Sequence, residues 1–198
     1  MNFEKQKESV MKKFREAIEK GEVDKPILMD LIKVNKLKDV YTTSSCAGRI
    51  ILLHDLGSKK YSYFIAKWHE TVDENEFLDK IEKLRSKERE LRGKIWLKQD
   101  PFILHISARN LEVAKKIIDV CFEVGFKHSG IISIAKDRVV VEINGLDRMS
   151  IPIFDERFGF LVDNDTLLKF LRIANEKLER NAIFRSRFFD LLIEKLRE

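Results

Sequence analysis

Tyr41-Thr42-Thr43-Ser44-Ser45-Cys46-Ala47-Gly48-Arg49-Ile50-Ile51-Leu52-Leu53 is the stretch around which the chain is organised. Consecutive hydroxyl side chains run from Thr42 to Ser45 into Cys46, then two small residues, one cation and an unbroken apolar run. The pattern predicts a polar loop emptying into a strand. Ile50–Leu53 lacks a polar alternate, as expected of a strand covered on both faces. Gly48 permits positive φ or close backbone approach, and Ala47 keeps that approach open. Two readings follow from the residues. The loop is an anion cradle of hydroxyls, amides, a thiol and a guanidinium, or it is a Ser/Thr-rich turn that satisfies its own backbone.

Upstream, Phe3, Val10, Phe14 and Ala17-Ile18 fall at helical spacing and predict an amphipathic helix to Lys20, stopped by Gly21. Asp24 is placed to cap a second helix with Pro26 in its first turn, carrying Ile27 to Val34. Both helices read as structural. Downstream, residues 55–60 predict a turn and Tyr61–Trp68 the returning strand. Thr71 or Asp73 caps a helix to Ser86 with Phe77, Ile81 and Leu84 inward. The charged run from Ser86 to Gly93 reads as a solvated helix end and loop. Ile95–Leu97 and Phe102–Ile106 are strand-like, separated by Gln99-Asp100-Pro101, with Trp96 assigned to the core. A helix from Leu111 to Val124 ends at Gly125, and strands follow at Gly130–Ala135, Arg138–Ile143 and Met149–Phe154. Asp163 caps a final helix to Leu196 that changes face near Asn181, with Phe184, Phe188 and Phe189 as packing material.

Hairpins outnumber crossovers in this order. The expected class is α+β, a single domain over 1–198 with a mixed, largely antiparallel sheet. Its parts are an N-terminal helical arm (1–38), an α+β core (39–160) and a C-terminal helix (161–198). Helices stand at both termini. No Gly-x-Gly-x-x-Gly turn is present, so the doubly wound dinucleotide fold is not expected.

The 198 residues suffice for a sizeable core, and a 44% hydrophobic share marks a folded chain. A formal net charge of +5 suits a phosphate-bearing partner without identifying one. Cys46 and Cys121 stand far apart, in neither a disulfide framework nor a zinc spacing. The charged first residues lack an apolar signal core, and no run reaches the roughly 20 apolar residues of a membrane span. The expectation is a cytoplasmic protein with neither metal nor membrane partner.

Beyond these patterns, Thr42-Thr43-Ser44-Ser45-Cys46-Ala47-Gly48-Arg49-Ile50 resembles the signature of the tRNA wybutosine-synthesising methyltransferase family, the third enzyme of that pathway in its archaeal stand-alone form. Trp68-His69, Asp100-Pro101-Phe102-Ile103-Leu104-His105, Ala114 with Gly125-Phe126, Ser129-Gly130-Ile131 and Ile151-Pro152 resemble family landmarks in family order. The likeness spans roughly Asp39 to Leu178. It implies an S-adenosylmethionine-dependent transferase of tRNA modification, acting on phenylalanine tRNA. The reaction implied is methylation of the N4 ring nitrogen of a demethylwyosine base that carries an aminocarboxypropyl arm. A non-catalytic tRNA-binding module with an anion-gripping loop is the competing class.

Candidate residues follow from the motifs. His69 or His105 takes a proton from the nitrogen being methylated, since imidazole titrates near neutrality. Ser44, Ser45, Cys46, Gly48 and Arg49 line the pocket, and Trp68 stacks on the base. Arg109 and Lys127 contact carboxylate or phosphate, and Ser129-Gly130 offers a hydroxyl with close backbone approach. Cys46 is a nucleophile, a ligand contact or loop packing. Direct methyl transfer needs no covalent enzyme intermediate.

Overall fold

In chain order the helices and strands of the computed structural model are α1 (Phe3–Glu19), α2 (Leu28–Lys36), β1 (Val40–Cys46), β2 (Arg49–Asp55) and β3 (Tyr63–Trp68). There follow α3 (Glu74–Arg85), β4 (Lys94–Asp100), β5 (Ile103–Ala108), α4 (Leu111–Val124), β6 (Gly130–Ala135) and β7 (Arg138–Asn144). The series closes with β8 (Met149–Asp155), β9 (Gly159–Phe160) and α5 (Asn164–Lys195). The structure describes residues 2–197. The class is α+β. Its strands form two sheets, both antiparallel throughout, ordered β1-β5-β7-β6 and β3-β2-β4-β8-β9. No described helix is long and apolar enough to cross a membrane.

The chain falls into two compact units. The first takes the residues up to Ala47, Phe102–Leu146 and Asn181 onward. Its core joins Ile27, Leu31 and Val34 to Leu104, Ile106, Val141 and Ile143, with Ile117 and Val120 of α4 and the Phe188-Phe189 pair of α5. The second takes Gly48–Pro101 and Asp147–Arg180. There Phe77 and Ile81 of α3 and Leu167, Leu171 and Ala174 of α5 bury Ile50, Leu52, Ile95 and Leu97. The expected change of face near Asn181 is therefore the point where α5 leaves one core for the other.

Several local expectations are corrected. The hydroxyl run is no loop: Thr42–Cys46 belongs to β1, paired with β5 and bulged between Thr42 and Ser44. Two β-branched threonines suit an edge strand, and the bulge lets the polar residues leave the regular pleat. Asp24 does not cap a helix by its side chain. Lys25–Ile27 form a 3-10 turn, and the Asp24 carboxylate accepts the Ala47 N–H at 2.8 Å. β4 continues through Gln99 and Asp100, so only Pro101-Phe102 breaks the ladder. Trp96 is half-buried and pairs with Leu53 and Pro152, on the opposite face from core residues Ile95 and Leu97. The two-residue β9 carried no sequence signal.

One peptide unit in the first body is held on both sides. Ala47 is wholly buried; Asp24 takes its N–H, and the guanidinium of Arg185 on α5 donates to its carbonyl. Arg185 is itself buried, and desolvation pushes its pKa down while Asp30, Asp24 and Cys46 oppose that push. The next residue, Gly48, sits at φ +93°, a left-handed conformation that costs glycine little. Arg185→Ala strands the Ala47 carbonyl. We expect a loss of about 1–3 kcal/mol, the usual penalty for a buried polar group deprived of its partner. In urea unfolding this appears as a lower midpoint at unchanged slope; a wild-type midpoint contradicts the clamp.

Candidate functional site

Antiparallel register assembles the first unit's candidates. His105 on β5 lies opposite Ser44 on β1 and opposite Glu142 on β7, which in turn faces Gly130 on β6. Residues opposite one another share a sheet face, so these residues form one rung. Their neighbours Leu104, Ile106, Val141 and Ile143 point the other way, into the core. The adjacent rung on the same face carries Cys46, Ile103 and Asn144.

A hydrogen-bonded chain runs along this polar face. His105 Nε2 lies 2.8 Å from Glu142 Oε2, and Asn144 Nδ2 donates to Glu142 Oε1 at 2.8 Å. The Asn144 backbone N–H donates to Ser129 Oγ at 3.0 Å. The bond from Asn144, and then that from His105, holds the Glu142 carboxyl below its ordinary range against the opposing effect of burial. A carboxylate there fixes the imidazole's orientation. Sequence reasoning missed Glu142 and Asn144. The readable signal was a lone acid inside the apolar run Val139-Val140-Val141-Glu142-Ile143.

Beside β1 lies a cleft of about 510 Å³. One wall is the apolar stripe of α1 (Val10, Phe14, Ala17) with Val23; the other is Thr42–Ser45; Lys13 and Glu22 complete it. Asn35 Nδ2 donates to the Thr42 hydroxyl, which leaves Thr43, Ser44 and Ser45 to present theirs. α1, read as structural from its sequence, thus also walls a cleft. Ser44 belongs both to this cleft and to the His105 rung.

In the second unit, Gly48, Arg49, Trp68 and His69 gather at the start of β2. Arg49 pairs with Asp100 at 3.1 Å, and its guanidinium stands 5.0 Å from the centre of the Phe64 ring. His69 Nδ1 is 3.0 Å from the Gly48 carbonyl. Trp68 pairs with Ile50 on the core face, and its indole N–H donates to Glu76 at 2.6 Å. Arg109, the residue after β5, stands four positions beyond His105, or about 13 Å along an extended chain. It is bound to Asp39 and Glu4 over the Phe3 ring, and those carboxylates raise its pKa. Lys127 is exposed in the turn after α4. Cys121 is sealed in the core, where burial pushes its thiol up to about 12. His54 is buried between the Tyr63 hydroxyl and the Arg92 carbonyl.

Residues 5–194 match the family described as Methyltransferase TYW3. The chain belongs to that family. A Thermococcus sibiricus relative, named tRNA(Phe) 7-((3-amino-3-carboxypropyl)-4-demethylwyosine(37)-N(4))-methyltransferase, is 39% identical over 90% of this chain and 88% of its own. An Archaeoglobus fulgidus relative of the same name is 37% identical over 90% of this chain and 87% of its own. Among solved structures, the PH1069 protein of Pyrococcus horikoshii superposes with a TM-score of 0.84 at 32% identity, covering 98% of this chain and 96% of that one. A hypothetical protein from Aeropyrum pernix gives 0.73 at 28% identity, covering 87% of this chain and 98% of that one. This member of the TYW3 family is thus an α+β protein rather than a doubly wound one, which explains the missing Gly-rich turn.

Glu142 has a checkable acid limb. Its folded pKa lies below the unfolded value, so the stability it contributes is present above the unfolded pKa and is lost as pH falls through the folded one. Glu142→Gln is expected to melt lower than wild type at pH 7, with the gap closing below about pH 4. Melting curves from pH 7 to pH 3 measure this, and a gap that stays constant contradicts it.

Proposed function

We propose that this chain is an S-adenosylmethionine-dependent tRNA methyltransferase of wybutosine biosynthesis, working in the cytoplasm. It methylates the N4 ring nitrogen of the 7-aminocarboxypropyl-demethylwyosine base beside the anticodon of phenylalanine tRNA. The relatives' shared name supports the substrate. The observation that carries the site is the His105–Glu142 pair standing directly across from Ser44, itself a wall residue of the hydroxyl-lined cleft.

The cleft suits the donor. Its volume of about 510 Å³ falls within the roughly 300–1,000 Å³ usual for small-ligand sites. Val10, Phe14, Ala17 and Val23 can cover a purine, Thr43, Ser44 and Ser45 can bond ribose hydroxyls, and Lys13 and Glu22 can meet the two charges of an amino-acid tail. When bound, S-adenosylmethionine supplies an electrophilic methyl group. The rest of the work is positional. His105 accepts the proton that the ring nitrogen sheds as its bond to carbon forms, and Glu142 holds the imidazole to receive it. Within the second unit, Arg49, Trp68 and His69 are its candidate contacts to the tRNA.

The test uses purified protein, methyl-labelled donor and tRNA from cells lacking the homologous enzyme, followed by nucleoside analysis. Label is expected in the tricyclic nucleoside. His105→Gln should lower kcat about 100-fold or more with donor affinity retained. Arg49→Ala should cut turnover on modified tRNA while the fold survives, because a partly exposed ion pair contributes only about 1 kcal/mol. Absence of label with the wild-type protein contradicts the reading, and wild-type turnover in either variant removes that residue from the site.

A further inference from the structure

The second unit's sheet has one face turned away from its core, and that face has the composition of a nucleic-acid platform. Register assigns its rungs. Lys67, Ile51, Lys98 and Ser150 stand in line, and Phe64, Leu53, Trp96 and Pro152 form the next line. Arg49 and Asp100 open the same face. Phe64 is 47% exposed, Trp96 half-buried and Lys67 exposed, whereas the opposite face is sealed by α3 and the first half of α5.

The charges on this face do not cancel. Asp100 is paired with Arg49, Asp55 accepts the Gly57 N–H and the Ser62 hydroxyl, and Asp155 is gripped through both oxygens by Arg157. Lys67 and Lys98 have no ion-pair partner among the described residues. The two lysines stand opposite the buried Ile51 on the strands either side of it, one rung away from Phe64 and Trp96. Cations alternating with aromatics across a sheet match a polyanion whose units carry flat rings. Phosphates meet the lysines, and bases stack on the rings.

We infer that this face binds a single-stranded RNA segment, with Lys67 and Lys98 on its phosphates and Phe64 and Trp96 as stacking surfaces. The inference rests on the tRNA reading above and adds the surface on which the RNA lies. Arg49 gains a second duty here, since its guanidinium over the Phe64 ring fixes the ring's attitude.

The experiment titrates a labelled, unmodified single-stranded oligoribonucleotide by fluorescence anisotropy at several salt concentrations, with no methyl donor present. Each single-strand phosphate contact contributes about 0.7 to the slope of log affinity against log salt. Lys67→Gln/Lys98→Gln should therefore reduce that slope by about 1.4. Phe64→Ser should weaken binding about fivefold or more at unchanged slope, since stacking contributes about 1 kcal/mol or more per base. Phe64→Leu, which keeps the apolar bulk, serves as the control for folding and should also bind more weakly, with melting curves run on every variant. Wild-type affinity and slope in folded variants overturn the proposal. So does a wild-type protein that ignores the oligonucleotide, or inorganic polyphosphate competing as well as RNA at equal charge. If the variants still methylate tRNA at the wild-type rate, this surface is wrong while the methylation reading stands. Bound RNA with no methyl transfer to tRNA sinks that reading alone.

Discussion

A buried guanidinium fixes the segment on which the candidate chemistry depends. Arg185 sits within the first unit's core and donates a hydrogen bond to the Ala47 carbonyl, while Asp24 accepts one from the N–H of the same residue. Burying a cation is costly, and here a carbonyl and two nearby carboxylates, Asp24 and Asp30, offset the desolvation. Ala47 is the residue after β1, so this clamp determines where the strand ends and how Ser44, Ser45 and Cys46 enter the ladder with β5. Gly48 then turns through positive φ and the chain proceeds into β2. Loss of the clamp would leave the hydroxyl strand an edge strand with a bulge and a loose end.

Once β1 is anchored, antiparallel pairing does the rest. Strict alternation sends Leu104 and Ile106 inward and His105 outward, and the ladder places Ser44 and Glu142 on either side of the imidazole. The Asn144 bond to Glu142 keeps the carboxylate ionised and oriented. An imidazole held this way has little orientational freedom left to lose. In the second unit the same rule separates an apolar face, buried by helices, from a face of lysines and aromatics. Each sheet therefore has one face in a core and one polar face turned away from it.

Much of this was legible in the chain. The helix stripes, the Asp163 cap, the Gly125 terminus and the strands of the later hairpins all carry local signals, and they appear where those signals put them. The hydroxyl run reads as a loop in sequence because Ser and Thr favour turns when isolated; its ladder with β5 is a long-range pairing with no local mark. Asp24 looked like a helix cap, but its partner is Ala47, distant in sequence. Glu142 carries no local signal beyond its place in a valine run, since a strand residue's partners depend on which strand lies beside it. Trp96 was assigned inward on hydrophobicity alone, whereas alternation with Ile95 and Leu97 sends it outward.

The central claim is that the α1–β1 cleft and the His105 rung together form the methyl-transfer site of this TYW3 methyltransferase. Backbone and side-chain NMR of the labelled protein titrated with S-adenosylhomocysteine, the spent donor, tests it most directly. The account predicts saturable shifts at Val10, Phe14 and Thr43–Ser45, with His105 ring signals moving in step. Saturable binding that leaves those residues and His105 unmoved would contradict it.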